Sequence, residues 1–232
     1  FMEKNVKKFF DLPKTINSNL PMNNFNSMVE DSEHKIAKWV GTIYTVAAFV
    51  ILISSIIWVL SPIWSGGMGE GIGILSAVIA MIIWVYAAFP IAQVVRSAGD
   101  SLSESKSGIV DFVFRDFTIA NIKLFGYVSA LVALFGAICM TITWVTSLDV
   151  SGEFSTAWTA KIDYAFGLPM LAVAALAELL HLQFISNVFA DWYAWNPMVS
   201  SGEAWSVNGF YAVLWQYVGV VAILAKLYVS LA

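Results

Sequence analysis

The chain has 232 residues, of which 59% are hydrophobic and 12% charged, and its formal net charge is −4. Globular domains carry roughly 25% charged and at most about 50% apolar residues. So much apolar surface cannot be buried inside a particle of this size, which excludes a soluble enzyme, a disordered chain and a disulfide-stabilised scaffold, and predicts contact with lipid.

The first 35 residues are more polar than the rest and predict an arm ahead of the membrane. Residues 1–12 combine three lysines with aromatic and aliphatic residues, a composition typical of a short interfacial segment and equally of a frayed tail. Residues 15–28 are rich in Asn and Ser and predict an extended linker. We therefore expect a cytoplasmic arm with an interfacial segment over residues 1–35.

Five stretches are long and apolar enough to cross a bilayer as helices, for which about 20 residues suffice. They cover residues 36–60, 72–95, 119–145, 164–190 and 210–231. The strands of membrane barrels alternate in hydropathy over about 10 residues, whereas these stretches are continuously apolar. The sequence therefore predicts an all-α polytopic membrane protein: a bundle of about five transmembrane helices over residues 36–232, with short interfacial amphipathic segments.

Two connections between the predicted spans carry patterns of their own. Residues 66–73 contain five glycines, but no Lys-Ser/Thr pair follows and no strand precedes them, so they predict a turn rather than a phosphate-binding loop. Residues 109–117 mix apolar and charged residues. They predict a short amphipathic segment on the membrane surface with a helical Asp111–Arg115 pair, or else an early start of the third span.

Lysine and arginine decide the expected orientation, because cytoplasmic loops are enriched in them. Ten of the twelve basic residues precede the first span, lie at its start, or lie between the second span and the first turns of the third. We therefore expect a bacterial inner-membrane protein with the N-terminus in the cytoplasm and, after five crossings, the C-terminus outside. The connection over residues 191–207 fits poorly, because it should be cytoplasmic and has no Lys or Arg; a re-entrant or interfacial segment is the alternative there.

The first and third spans share a pattern. Lys38 and Gly41 in the first span match Lys123 and Gly126 in the third, and a short connection and a further span follow each. This indicates a duplicated helical hairpin, although apolar sequences also match one another by chance.

The fourth span contains the clearest ionisable pair inside a predicted helix. Glu178 lies near its middle, and His181 follows three residues later on the same helical face. Such residues are costly within a bilayer and often functional. The pair suits a proton or cation relay, half of a di-metal site that lacks its second half in this sequence, or a structural hydrogen bond between helices, which we favour. Glu178 and His181 are the candidate intramembrane polar site.

Two further features concern packing. Ser129, Ala133 and Ala137 are spaced four residues apart on the third span and predict a close contact between helices. Lys226 lies near the end of the fifth span, where a long side chain is expected to reach the water interface.

These patterns favour a structural or assembly subunit of a larger membrane complex, of a secretion, conjugation, motor or energy-conversion type. The alternative is a small oligomeric transporter or channel that uses Glu178 and His181. No catalytic constellation, metal pattern or cofactor motif is present, so we expect neither an enzyme nor a cofactor. The expected partners are the lipid bilayer and other membrane subunits or further copies of this chain; a net charge of −4 gives no reason to expect nucleic acid.

Overall fold

The computed structural model describes residues 25–150, 171–194 and 205–232. Within these ranges the chain is helical apart from short connections, and no strand occurs. We label five helices along the chain: α1 Phe25–Leu60, α2 Ile72–Ser103, α3 Thr118–Thr146, α4 Gln183–Ala194 and α5 Val207–Leu231. Residues 171–179 are also helical. The prediction of an all-α membrane helical bundle is confirmed.

In the part of the chain that the structure describes, four helical stretches are long and apolar enough to cross a membrane. They run over Lys35–Ser65, Ile72–Ser103, Ile109–Thr146 and Val207–Leu231 and match the first, second, third and fifth predicted spans. The shortest, with 25 residues, is roughly 37 Å long, which exceeds the ~30 Å hydrocarbon core of a bilayer. A helix satisfies its own backbone hydrogen bonds, so an uninterrupted apolar sequence in lipid adopts this form.

The helices extend beyond the predicted spans at one end of the bundle. α1 begins at Phe25 rather than residue 36, and α2 continues to Ser103 rather than residue 95. Residues 25–35 of the expected polar arm therefore form the first turns of α1. The interfacial segment expected over residues 1–12 lies outside the described residues.

The glycine-rich connection is a turn, as the sequence predicted. A short helix, Pro62–Ser65, follows α1 and ends at Gly66, which has φ of 77°. Gly69 and Gly71 also have positive φ, at 70° and 58°. Glycine adopts these angles without a steric cost, which allows the chain to reverse into α2 within a few residues.

α1 and α2 cross in direct backbone contact. A Cβ atom on Gly41 would lie 2.6 Å from the Ser103 Cβ and 2.7 Å from the Gly99 carbonyl oxygen. A Cβ atom on Gly99 would lie 2.7 Å from the Tyr44 Cβ. The crossing therefore requires glycine on both helices, and it brings the start of α1 beside the end of α2.

The segment ahead of α3 starts that helix early instead of forming a separate surface element. Ile109–Asp111 is α-helical and Phe112–Phe117 is π-helical, and the helix runs on into α3 without a break. The expected Asp111–Arg115 pair is wrong, because Arg115 Nε donates to Asp116 Oδ1 at 2.9 Å. The carboxylate of the adjacent Asp116 lies within hydrogen-bond distance of the Arg115 guanidinium and takes the place expected for Asp111.

α3 and α5 are antiparallel. At one end, the backbone N–H of Trp205 donates to the Trp144 carbonyl at 3.2 Å, and Trp144 Nε1 donates to the Ser206 carbonyl at 3.0 Å. At the other end, a Cβ atom on Gly126 would lie 2.6 Å from a methyl carbon of Leu227. The end of α5 therefore lies beside the start of α3.

The start of α1, the end of α2, the start of α3 and the end of α5 thus share one end of the bundle, where Ala37, Leu102, Phe112 and Ala120 form a buried cluster. We call this the basic end. The expectation that the two ends of the membrane domain face opposite sides is wrong. It assumed a continuous fourth crossing over residues 164–190, but residues 164–170 lie outside the described ranges and the helix is interrupted at 180–182.

Charge agrees with the corrected topology. Every lysine and arginine of the described residues lies at the basic end: Lys35, Lys38, Arg96, Lys106, Arg115, Lys123 and Lys226. Glu70 and Asp149 lie at the opposite end, which we call the acidic end. Because α5 is antiparallel to α3, Lys226 lies at the same end as the other cations. The predicted topology had placed it at the opposite end.

Cysteine labelling tests this topology. In a Cys139→Ala background, Glu104→Cys and Ala232→Cys should react with an impermeant maleimide from the same side of the membrane, and Ser65→Cys should react from the other side. All three positions are exposed. Labelling of Ser65→Cys and Ala232→Cys from a common side would contradict the antiparallel placement of α5.

The α1–α2 crossing predicts a strong position effect for glycine substitutions. Gly99→Val places methyl groups against the α1 backbone and should destabilise the protein by about 1–3 kcal/mol, as overpacking does elsewhere. Gly73→Val, on the same helix, is the control, since a Cβ there meets nothing nearer than 3.9 Å. Thermal unfolding in detergent should show a lower midpoint for the first variant only; equal midpoints would contradict the close crossing.

Candidate functional site

Glu178 and His181 lie at the end of a helix and not in the middle of one. The helix over residues 171–179 closes when the Leu182 N–H donates to the Ala177 carbonyl at 2.8 Å and the His181 N–H donates to the Glu178 carbonyl at 3.0 Å. This pair of bonds is the Schellman C-cap, which needs a left-handed residue after the helix. His181 supplies it, with φ of 57°.

The predicted geometry of the pair is corrected accordingly. His181 follows the end of the helix, so it does not share a helical face with Glu178. Both side chains are exposed, and no other described residue donates to or accepts from either side chain. The buried residues of this helix are Ala174 and Ala177, which lie about one turn apart. A functional role for the pair stays a prediction.

The predicted packing row on α3 lies largely in the interior. Ser129 is 1% exposed and Ala137 is fully buried, while Ala133 is half-buried. The Ser129 hydroxyl donates to the Phe125 carbonyl of its own helix at 2.7 Å. Small side chains along this side of α3 allow neighbouring helices to approach closely.

Lys226 is the interior charge that the sequence did not reveal. Its side chain is 1% exposed, and it is the largest of the fully buried residues. The expectation that Lys226 reaches the water interface is therefore wrong. Proximity to the end of the span suggested exposure, but the close contact of Leu227 with Gly126 holds this part of α5 against α3.

Polar side chains connect the helices to one another inside the bundle. The Tyr44 hydroxyl of α1 donates to Asn121 Oδ1 of α3 at 2.7 Å. The hydroxyls of Thr141 on α3 and Tyr217 on α5 are 3.1 Å apart. No sequence pattern predicts these bonds, because their partners lie 77 and 76 residues apart along the chain.

A second polar cluster fixes the connection from α2 to α3 at the basic end. Asp116 Oδ2 accepts from the Ser105 hydroxyl at 2.5 Å and from the Ser107 hydroxyl at 2.6 Å. Arg115 donates to the other Asp116 oxygen and to the Ser107 hydroxyl. The carboxylate therefore ties the connection to the π turn that begins the third span.

Neither cluster has the composition of a metal site. Among residues 25–150, 171–194 and 205–232, no three or more His, Cys, Asp or Glu side chains come close enough to hold an ion. The E-x-x-H pattern at Glu178 has an exposed carboxylate and an exposed imidazole on different sides of a helix end.

The fold and these contacts define the class of protein: an integral membrane helical bundle with hydrogen-bonded helix contacts and, among its described residues, one buried lysine. Comparison of the chain with profiles of protein families, with curated proteins and with solved structures finds no match. Its function is therefore argued from its own residues.

The helix end at His181 gives a test that separates a backbone role from a chemical one. His181→Gly should leave stability unchanged or raise it, because glycine is the preferred residue in the left-handed position. His181→Val should destabilise by about 1–2 kcal/mol, since a β-branched residue is strained there. Unfolding midpoints in detergent measure both. Loss of assembly in a stable His181→Gly variant would show that the imidazole itself is needed.

Proposed function

We propose that this chain is a structural or assembly subunit of a larger membrane complex. The observation that supports the proposal is how the interior polar groups of the bundle are used. Ser129 and Thr143 donate to carbonyls of their own helix, at 2.7 and 3.0 Å. Tyr44 bonds to Asn121 on another helix. Groups that line a transport path are directed at water or substrate, whereas these are directed at the protein.

The outward surface is the part available to partners. Along α1, Trp39 is 71% exposed, Phe49 is 62% exposed and Trp58 is 54% exposed. Lipid covers apolar side chains as well as protein does, so helices associate in membranes through close packing and interhelical hydrogen bonds. The face of α1 turned away from α2 offers neighbouring subunits a long apolar surface for such packing.

The orientation we propose places the basic end in the cytoplasm of a bacterial cell. Cytoplasmic segments carry an excess of Lys and Arg, and every described lysine and arginine lies at this end. The start of α1 and the end of α5 then both face the cytoplasm.

Photo-cross-linking in native membranes tests the subunit proposal. A benzophenone amino acid replaces Phe49, which is exposed, and in a matched chain replaces Phe135, which is 7% exposed and serves as the control. We expect Phe49 to give a discrete adduct with a different protein and Phe135 to give none. The adduct should coincide with a complex of constant composition after extraction in mild detergent.

A chain that gives lipid adducts alone and is extracted alone would contradict the proposal. Adducts between copies of this chain, with no second protein present, would also contradict it and would favour an oligomer that acts by itself.

A small oligomeric transporter or channel is the second candidate, and the burial of Lys226 favours it. An ionisable side chain within a membrane bundle is a recurrent element of coupled transport. Lys226→Met keeps a side chain of similar length but removes its amino group. Glu178→Gln keeps the shape of the side chain but removes its ionisable carboxyl group. Under the subunit proposal, Glu178→Gln assembles normally and reconstituted vesicles show no ion flux with either variant or the unmodified chain. A flux in the unmodified chain that Lys226→Met abolishes, with assembly intact, would favour the transporter.

A further inference from the structure

α4 has two chemically different faces. Gln183, Asn187 and Asp191 are spaced four residues apart and form a polar stripe. Next to this stripe around the helix, Phe184, Ile185 and Val188 are 80%, 39% and 47% exposed and form an apolar face. Ser186 lies on a third side of α4 and is 7% exposed, so the rest of the chain covers the helix there. The apolar face is therefore open, and it adjoins the polar one.

The described part of α4 is short for a crossing. Its 12 residues extend for roughly 18 Å, about three fifths of the ~30 Å hydrocarbon core. Asp191 and Asn187 on one face would also lose their hydration in hydrocarbon at a cost of several kcal/mol. A short helix with one apolar and one polar face is the form that lies in the plane of a membrane interface.

The helix over residues 171–179 has a different surface. Leu176, Leu179 and Leu180 are 59%, 76% and 65% exposed, and Glu178 is its one ionisable residue. This surface suits hydrocarbon, and the left-handed turn at His181 then redirects the chain into α4. Glu178 and His181 stand at that change of surface, where a carboxylate and an imidazole reach water.

The connection that contains α4 leaves and rejoins the bundle at the acidic end. Val150, which follows α3, is buried against Cys139 of α3. Trp205, which precedes α5, packs against Trp144 with 5.8 Å between the centroids of the tilted rings. Because both anchors lie at one end, the connection crosses the membrane an even number of times. Aromatic residues cluster at the level of the headgroups, so this pair marks the interface at which the connection that contains α4 rejoins the bundle.

Charge indicates which lipid the surface of α4 accepts. Asp191 is the one charged residue of α4, which has no lysine or arginine. Helices that bind anionic membranes carry basic residues on the polar face, each contributing about 1 kcal/mol near the surface. An acidic polar face is repelled by such membranes, and α4 is attached at the end where the described chain has no cation.

We propose that α4 is an in-plane interfacial helix, which rests its Phe184–Val188 face at the boundary between headgroups and acyl chains of a zwitterionic leaflet, at the acidic end of the bundle. This inference does not depend on the complex proposed above, since it concerns the single chain in lipid.

Spin labelling in phosphatidylcholine nanodiscs tests it. In the Cys139→Ala background, labels at Val188→Cys and Asn187→Cys should differ: the first should collide with oxygen at a shallow depth of about 5–10 Å, and the second with an aqueous nickel reagent. Phe49→Cys on α1 is the control for a deep label, and Ser65→Cys is the control for an aqueous one. Replacing half of the lipid with phosphatidylglycerol should reduce the contact of Val188→Cys with oxygen.

Three results would overturn the proposal. If the labels at both positions are deep in the bilayer, the segment is re-entrant. If only the nickel reagent reaches both labels, the helix is detached from lipid. If neither reagent reaches the labels, protein covers this face. A chain with Cys139 unchanged gives an independent measurement, should the cysteine-free background not fold. A benzophenone amino acid at Phe184 should yield lipid adducts by mass spectrometry and one at Asn187 should not; protein adducts at Phe184 would also overturn the proposal.

Discussion

The contact between α3 and α5 decides the arrangement of the whole bundle. Two hydrogen bonds join Trp144 to Trp205 and Ser206 at one end, and Leu227 packs on Gly126 at the other. Once these are formed, α5 is antiparallel to α3 and ends where α1 begins. The direction of α5, the place of Lys226 beside the other cations, and the even number of crossings in the connection between α3 and α5 all follow from this register.

The same contact bears on the duplicated hairpin that the sequence indicates. Gly41 of α1 meets the end of α2, and Gly126 of α3 meets the end of α5, so matched glycines occupy matched places in two antiparallel pairs. In this arrangement the partner of α3 is α5 rather than the helical stretch that follows α3 in the sequence. The duplication stays a hypothesis. If it holds, the second hairpin-like pair consists of α3 and α5.

The long helices were predictable because lipid allows an apolar stretch few other forms. The interruption at His181 was not, because the sequence around it has neither glycine nor proline and a histidine supplies the left-handed residue. Lys226 and the Tyr44–Asn121 bond were missed for a different reason. Burial and pairing depend on which helices are neighbours, and hydropathy does not contain that information.

The close crossing of α1 and α2 has a mechanical consequence. With 36 residues, α1 is a rod of roughly 54 Å, and Gly41 lies about 24 Å from its Phe25 end. Backbone contact at the glycines acts as a pivot for the Phe25 end, because it prevents separation there while Ala48 packs in a buried cluster with Val95 on the other side of the crossing. A tilt of a few degrees at this pivot displaces the Phe25 end by an ångström or two, so α1 is a lever whose fulcrum lies near the membrane surface.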